Sequence, residues 1–465
     1  MINHCRSRRS RCLRDRQSEP VNGLRAAERR LLAQVWGHCR FLLLPLPAKT
    51  AGRYQESFAA MPRFLISFFG SLALIGSDWV FAESDTATLE SVIEKYRADV
   101  VLASGGSAEA SPLFMSQAER RIAFANFDVL FPTRVIRSSR EASPLPPAPV
   151  DLNSVRFTAN EKDMSVGELL DSEHLMGLLV VHDGKVLMEH YAPDHGADVR
   201  WVTFSVTKSV TSLLIGAAIH DGYIDSVTDS IVKYLPRLAG SEYGESRVQD
   251  ILQMASGIAW NEDYEDPESD VARAAALNGV ALTDYLAQLP RVAPPGTRFN
   301  YNTAESNLLG EVLRSAIGMN AAPYLSHKIW QPMGMESDAN WLLSLPEDRE
   351  TGGCCISATL RDYARLGLFA LADGVLPDGT RVLPEGWMAA STSPSQGYEG
   401  YGYKWWLDAD ARYGAYGIFG QTIAVDPKAR LVIAVHSNGQ AASGSTYGQE
   451  LEAALAAISE YLRGR

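Results

Sequence analysis

The stretch from Ser205 to Gly222 constrains this chain more than any other part of it. Val206, Val210, Leu213, Leu214 and Ala217 recur at helical spacing, and Gly222 stands where a C-terminal cap is expected. The stretch therefore reads as a largely buried helix, around which the rest of the chain has to supply a core. Ser205 opens this helix and Lys208 follows one turn later on the same face. A serine hydroxyl is a poor nucleophile until a neighbouring base takes its proton. A lysine at a desolvated helix N-terminus finds its charged form disfavoured by burial and by the helix dipole. The orphan N–H groups of the same turn can face an oxyanion. Ser-x-x-Lys also arises by chance in a chain of 465 residues, as a capping serine and a solvated lysine. What the tetrad means depends on its company.

Strand signals lie on both sides of the helix. Leu178–Val181 and Val186–Tyr191 flank an Asp183-Gly184 turn, which predicts a hairpin. After the helix comes a mostly helical middle, about 225–390, with one helix over Val248–Ser256 ended by Gly257 and another over Asn302–Ile317 ended by Gly318. Strands return at Tyr401–Leu407, Tyr413–Val425 and Leu431–His436, and a helix over 446–462 closes the chain. Strands from both ends with helices between them predict an α/β (α+β) domain spanning 151–465. It would have an antiparallel sheet flanked by helices and an inserted, mostly helical subdomain.

The N-terminal part reads differently. Residues 1–60 carry twelve Lys and Arg against four acids, although the whole chain has a net charge of −12. From Met61, Arg63 precedes the apolar run Phe64–Gly76, and Val80-Phe81-Ala82 offers residues that a signal peptidase accepts. This predicts a signal peptide over 61–82, translation starting at Met61, residues 1–60 as a leader outside the fold, and a periplasmic or secreted product. The alternative is an anchor through 64–82. Residues 83–150 read as an extension ending in a Pro-rich linker, Ser143-Pro-Leu-Pro-Pro-Ala-Pro149. Cys354 and Cys355, the only cysteines beyond the leader, are expected to be two small buried hydrophobes. The acidic balance argues against a nucleic-acid partner. No ligand spacing suggests a metal, no cofactor is called for, and oligomeric state is not legible.

Two further motifs accompany Ser205. In Pro294–Gly310, a Pro/Gly turn delivers Tyr301 to a rigid junction where Asn302 and Glu305 resemble a capping box. A tyrosine beside a lysine can give and take a proton, although a lone tyrosine is more often a buried aromatic. In Gly414–Pro427, glycines inside a β-rich run mark places where something approaches the backbone closely, or else a bulge.

Ser205-Val-Thr-Lys208, Tyr301-Asn-Thr303 and Ala415-Tyr-Gly417, in this order, resemble the serine β-lactamase and penicillin-binding superfamily. The similarity spans about 165–440 and is to the class C-like branch of esterases and 6-aminohexanoate-dimer hydrolases. It implies a small-molecule ester or amide as substrate, Ser205 as the acylated nucleophile, Lys208 as its base, and Tyr301 as the acid/base that serves the leaving group and the deacylating water. It further implies an oxyanion hole from the N–H groups of Ser205 and Ile418, with Gly417, Gln421 and Thr303 beside the substrate. Tyr264, in Trp260-Asn-Glu-Asp-Tyr264, matches a loop tyrosine that closes over the substrate. Two departures bear on specificity. Thr303 stands where β-lactamases have an asparagine, and Ala415 replaces the lysine that meets the β-lactam carboxylate. Losing that cation disfavours an anionic substrate. The expectation is hydrolysis of an ester or linear amide. The alternatives are a β-lactamase or D,D-peptidase, or a non-catalytic penicillin-binding module.

Overall fold

A computed structural model describes residues 87–97, 113 and 115–464, apart from positions 140, 275–276, 345–346 and 443. The leader and the signal peptide expected over 1–82 lie outside the described residues.

The predicted hairpin forms as β4 (Leu175–His182) and β5 (Lys185–Tyr191), and both turn residues, Asp183 and Gly184, adopt positive φ. The C-terminal strands β10 (Trp406–Leu407), β11 (Tyr413–Tyr416), β12 (Thr422–Asp426) and β13 (Leu431–Ser437) join them. The result is one antiparallel sheet of order β10-β11-β12-β13-β4-β5. Its central register sets Val432 opposite Val181 and Ala434 opposite Leu179, so strands from the two ends of the domain form its middle. Tyr401–Leu407 keeps only its last two residues as strand, and Tyr413–Val425 is a hairpin rather than one strand, because Gly417 and Gly420 break the run.

Helix α3 (Val206–His220) packs on the inner face of this sheet and is buried from Val206 to Ala218. The helix over 248–252, α4, is shorter than expected and stops before Gly257. Helix α5 (Thr303–Ile317) matches the expectation. Asn302 caps its N-terminus by accepting the Glu305 N–H, and Gly318 ends it at φ 68°. Helix α6 (Leu360–Leu371) lies on the same inner face, and α7 (Thr446–Arg463) covers the outer face with Leu451, Leu455 and Ile458.

The helical middle also contains strands. β7 (Ala339–Ser344), β8 (Arg349–Glu350) and β9 (Ile356–Ala358) join β6 (Trp201–Val202) and β1 (Thr133–Ile136) in a second sheet of order β1-β7-β9-β6. β2 (Arg156–Ala159) and β3 (Lys162–Ser165) form a separate hairpin.

The N-terminal extension is no loose tether. Its helices α1 (Leu89–Tyr96) and α2 (Gln117–Ala125), with the short turn of helix Phe127–Leu130 that follows, bury Val92, Tyr96, Phe124 and Phe127 against Trp201, Phe204 and Phe419. The Pro-rich segment, expected to be a linker, is instead bonded along β5. Ala148 N donates to Val186 O at 2.8 Å and Val150 N to Leu187 O at 2.9 Å. The cysteine expectation also needs correcting: Cys355 is buried, but Cys354 and Cys355 are joined to each other by a disulfide.

Candidate active site

Ser205 follows a sharp turn. Phe204 holds a positive φ of 46°, a conformation costly for a residue with a side chain, and the surroundings keep it there. Thr203 N donates to Ile356 O at 2.7 Å, and the Thr203 hydroxyl accepts the Ile356 N–H at 2.9 Å, so β9 pins the turn. The Ser205 hydroxyl does not cap α3. It accepts from Lys208 Nζ at 2.8 Å, which removes the capping alternative.

Lys208 is buried and donates also to Gly353 O at 3.0 Å. Gly353 is fixed in turn by Asn307, whose Oδ1 accepts its N–H at 2.8 Å. Burial lowers the Lys208 pKa to about 8, against a smaller upward pull from the Glu262 carboxylate. Tyr301 lies immediately before α5, with its ring 5.2 Å from Lys208 Nζ and stacked at 5.5 Å on Trp406. Desolvation, then the charge of Glu262, raise its phenol above the ordinary tyrosine range, and an interaction with the Ser205 side chain partly opposes them. The three residues singled out in the sequence therefore converge.

Gly417 lies where β11 passes the turn that carries Ser205. A Cβ there would sit 2.6 Å from Thr203 O, so the close approach requires glycine. Among the described residues, neither the Ser205 nor the Ile418 N–H is bonded to the backbone or to a side chain. Gln421 does not face the cleft. It is fully buried, its Oε1 accepting the Phe419 N–H at 3.2 Å and its Nε2 donating to Ser437 O at 3.0 Å. Its structural role is to set the turn that carries Ile418.

Thr303 and Tyr264 meet at a residue that sequence reasoning passed over. Glu262 accepts the Tyr264 hydroxyl at 2.8 Å, the Thr303 N–H at 3.0 Å, the Thr303 hydroxyl and the Trp260 indole N–H. Its signal was present in Trp260-Asn-Glu-Asp-Tyr264, where the tyrosine drew the attention. A second buried pair was also missed. Lys404 and Glu305 each keep a side-chain atom without a hydrogen bond, and opposing burial penalties bring both pKa values to about 7. Ala415 is buried and brings no cation to the cleft. Among the described residues no cluster of His, Cys, Asp and Glu has metal-binding geometry, and no helix is long and apolar enough to cross a membrane.

Comparison with known proteins bears on the family and the fold. The β-lactamase family model matches residues 166–457. The 6-aminohexanoate-dimer hydrolase of Paenarthrobacter ureafaciens is 29% identical over 357 residues, covering 70% of this chain and 88% of that protein. A Bacillus anthracis protein carrying a provisional 6-aminohexanoate-dimer hydrolase name superposes with a TM-score of 0.66 at 22% identity, over 74% of this chain and 95% of its own. A provisionally named β-lactamase from Bacteroides dorei superposes with a TM-score of 0.53 at 19% identity, over 63% and 97%. The match over most of the chain, on a fold shared with these structures, establishes that the chain belongs to the β-lactamase family and is a serine hydrolase of that superfamily.

Proposed function

We propose that the protein is a secreted or periplasmic hydrolase that cleaves a carboxylic ester or linear amide through an acyl-enzyme on Ser205. The observation that carries this reading is the 2.8 Å contact from a buried, weakly basic Lys208 to a serine that caps nothing. Neutral Lys208 takes the hydroxyl proton as Ser205 Oγ bonds to the substrate carbonyl carbon. The carbonyl oxygen becomes an oxyanion facing the free N–H groups of Ser205 and Ile418. Tyr301 protonates the leaving alcohol or amine as its bond to carbon breaks, then accepts a proton from the water that attacks the acyl carbon; as the acyl–oxygen bond breaks and the acid leaves, Lys208 returns its proton to Ser205 Oγ.

The substrate class rests on charge. Ala415 supplies no cation, and the carboxylate of Glu262 stands over Thr303 and Tyr264, a poor setting for the anion of a β-lactam or cell-wall peptide. The relative from Paenarthrobacter ureafaciens is named a 6-aminohexanoate-dimer hydrolase. Export rests on the residue pattern of 61–82.

Wild type and Ser205→Ala are to be compared on p-nitrophenyl butyrate, a linear 6-aminohexanoate amide and a chromogenic cephalosporin. Ester or amide turnover should fall at least about a thousandfold in the variant, with little cephalosporin signal in either protein. Fast cephalosporin turnover would favour a β-lactamase instead. Unchanged hydrolysis in Ser205→Ala, or none in wild type, would overturn the reading. N-terminal sequencing of protein recovered from the periplasm tests export, with Glu83 as the expected first residue.

A further inference from the structure

We propose that helix α2 of the N-terminal extension is a working part of the oxyanion hole, with Arg120 and Phe124 as positioning residues for the turns that carry Ser205 and Ile418. This rests on the hydrolytic reading above. Arg120 and Phe124 are four residues apart, so α2, capped at Ser116, presents them on one face.

A buried guanidinium has five donors to satisfy, and Arg120 directs most of them at a single turn. Its Nε donates to Asn438 Oδ1 at 3.1 Å, and its Nη2 to Gly439 O at 2.9 Å and Gln440 O at 3.3 Å, while Nη1 donates to Met115 O at 2.9 Å. That turn holds the residue after Ile418. Gly439 N and Ser437 Oγ both donate to Phe419 O, each at 2.8 Å. The guanidinium also lies 4.5 Å from the centre of the Phe419 ring.

Phe124 works on the other side. Its ring, completely buried, sits 4.9 Å from Phe204 and 5.4 Å from Phe419. Phe204 is the positive-φ residue before the nucleophile, and such a conformation persists only where packing over-determines it. One helix face therefore grips the residue before Ser205 and the residue after Ile418. The spacing between two oxyanion donors depends on both grips, and a misplacement of about 1 Å can cost about a hundredfold in rate.

The test uses the full chain carrying Arg120→Ala, Arg120→Lys or Phe124→Leu. For Arg120→Ala on p-nitrophenyl butyrate, kcat should fall about ten- to a hundredfold, as for a weakened oxyanion donor, with KM within about twofold of wild type. The acid limb of the pH profile should stay in place, because the Lys208 partners Ser205 and Gly353 are untouched. Phenylboronate, which forms a tetrahedral adduct on serine, should lose affinity by the same factor as kcat. Arg120→Lys, which keeps the charge without the fork, should recover part of the loss, and Phe124→Leu should lower kcat by a smaller factor with KM unchanged. Hydrogen exchange at 417–421 and 438–440 should quicken about tenfold in Arg120→Ala, without change in α5.

Unchanged kcat and boronate affinity with a lower Tm would overturn the proposal, as would faster exchange spread evenly over the protein. Should wild type hydrolyse no ester or amide, the functional reading falls separately. Exchange then decides: unaltered rates at 417–421 in Arg120→Ala would overturn the brace.

Discussion

In the proposed reaction Lys208 is the base, and a fully charged ammonium cannot be one. Burial lowers its pKa to about 8, while the nearby Glu262 carboxylate pulls the other way. Because the neutral form is half populated at this value, kcat/KM should climb with pH, reach half its maximum near pH 8 and level off above about pH 9. Glu262→Gln removes the upward pull and should carry this limb to lower pH, whatever it costs in rate through the contacts to Thr303 and Tyr264. Lys208→Arg, whose guanidinium stays protonated, should have no measurable rate at any pH. A full pH–rate profile of the three proteins checks this. A limb that stays in place in Glu262→Gln would assign it to another group.

At the scale of elements, the site is the junction of a helix and a strand end that nearly touch. Gly417→Ala would place a Cβ about 2.6 Å from the backbone oxygen of Thr203, so β11 has to withdraw from the turn that carries Ser205. Activity should fall about ten- to a hundredfold with little loss of Tm, because few buried groups separate. Gly216→Ala, on α3, sets a Cβ about 2.6 Å from the indole of Trp387. It should show the reverse: a stability cost of about 1–3 kcal/mol from overpacking, seen as a lower urea midpoint, with kcat nearly preserved. This contrast matches what sequence could show. α3, α5 and the β4–β5 hairpin were legible because their signals are local: apolar spacing, Asn302 and Gly318 at the ends of α5, Asp183-Gly184 at the turn. The second sheet was not, since β6 is two residues long and pairs Trp201 with Ala358 from across the domain. Glu262 was hidden for a related reason: two of its four donors come from Thr303, which only the fold brings near. Gln421 was placed beside the substrate by the resemblance alone, whereas in the fold its amide is used up between Phe419 N–H and Ser437 O.

For the whole molecule, the extension decides where the folded unit begins. β1 runs antiparallel to β7, with Ile136 opposite Ala339 in the main core. Upstream of it, Val92, Phe124, Phe127 and Leu130 are all buried to within 2% exposure. Each such side chain contributes about 1.5–3 kcal/mol on burial, so losing the four forfeits more than about 6 kcal/mol. Net stability is about 5–15 kcal/mol for a typical protein. A chain beginning at residue 138 should therefore be insoluble or melt far below the full chain, while one beginning at Glu83 should match the full chain in Tm. Thermal melts of the two purified truncations decide between an integral extension and a dispensable cover. Equal Tm for both would mean that the main core stands without α1, α2 and β1, and that the pairing of β1 with β7 is only an edge addition.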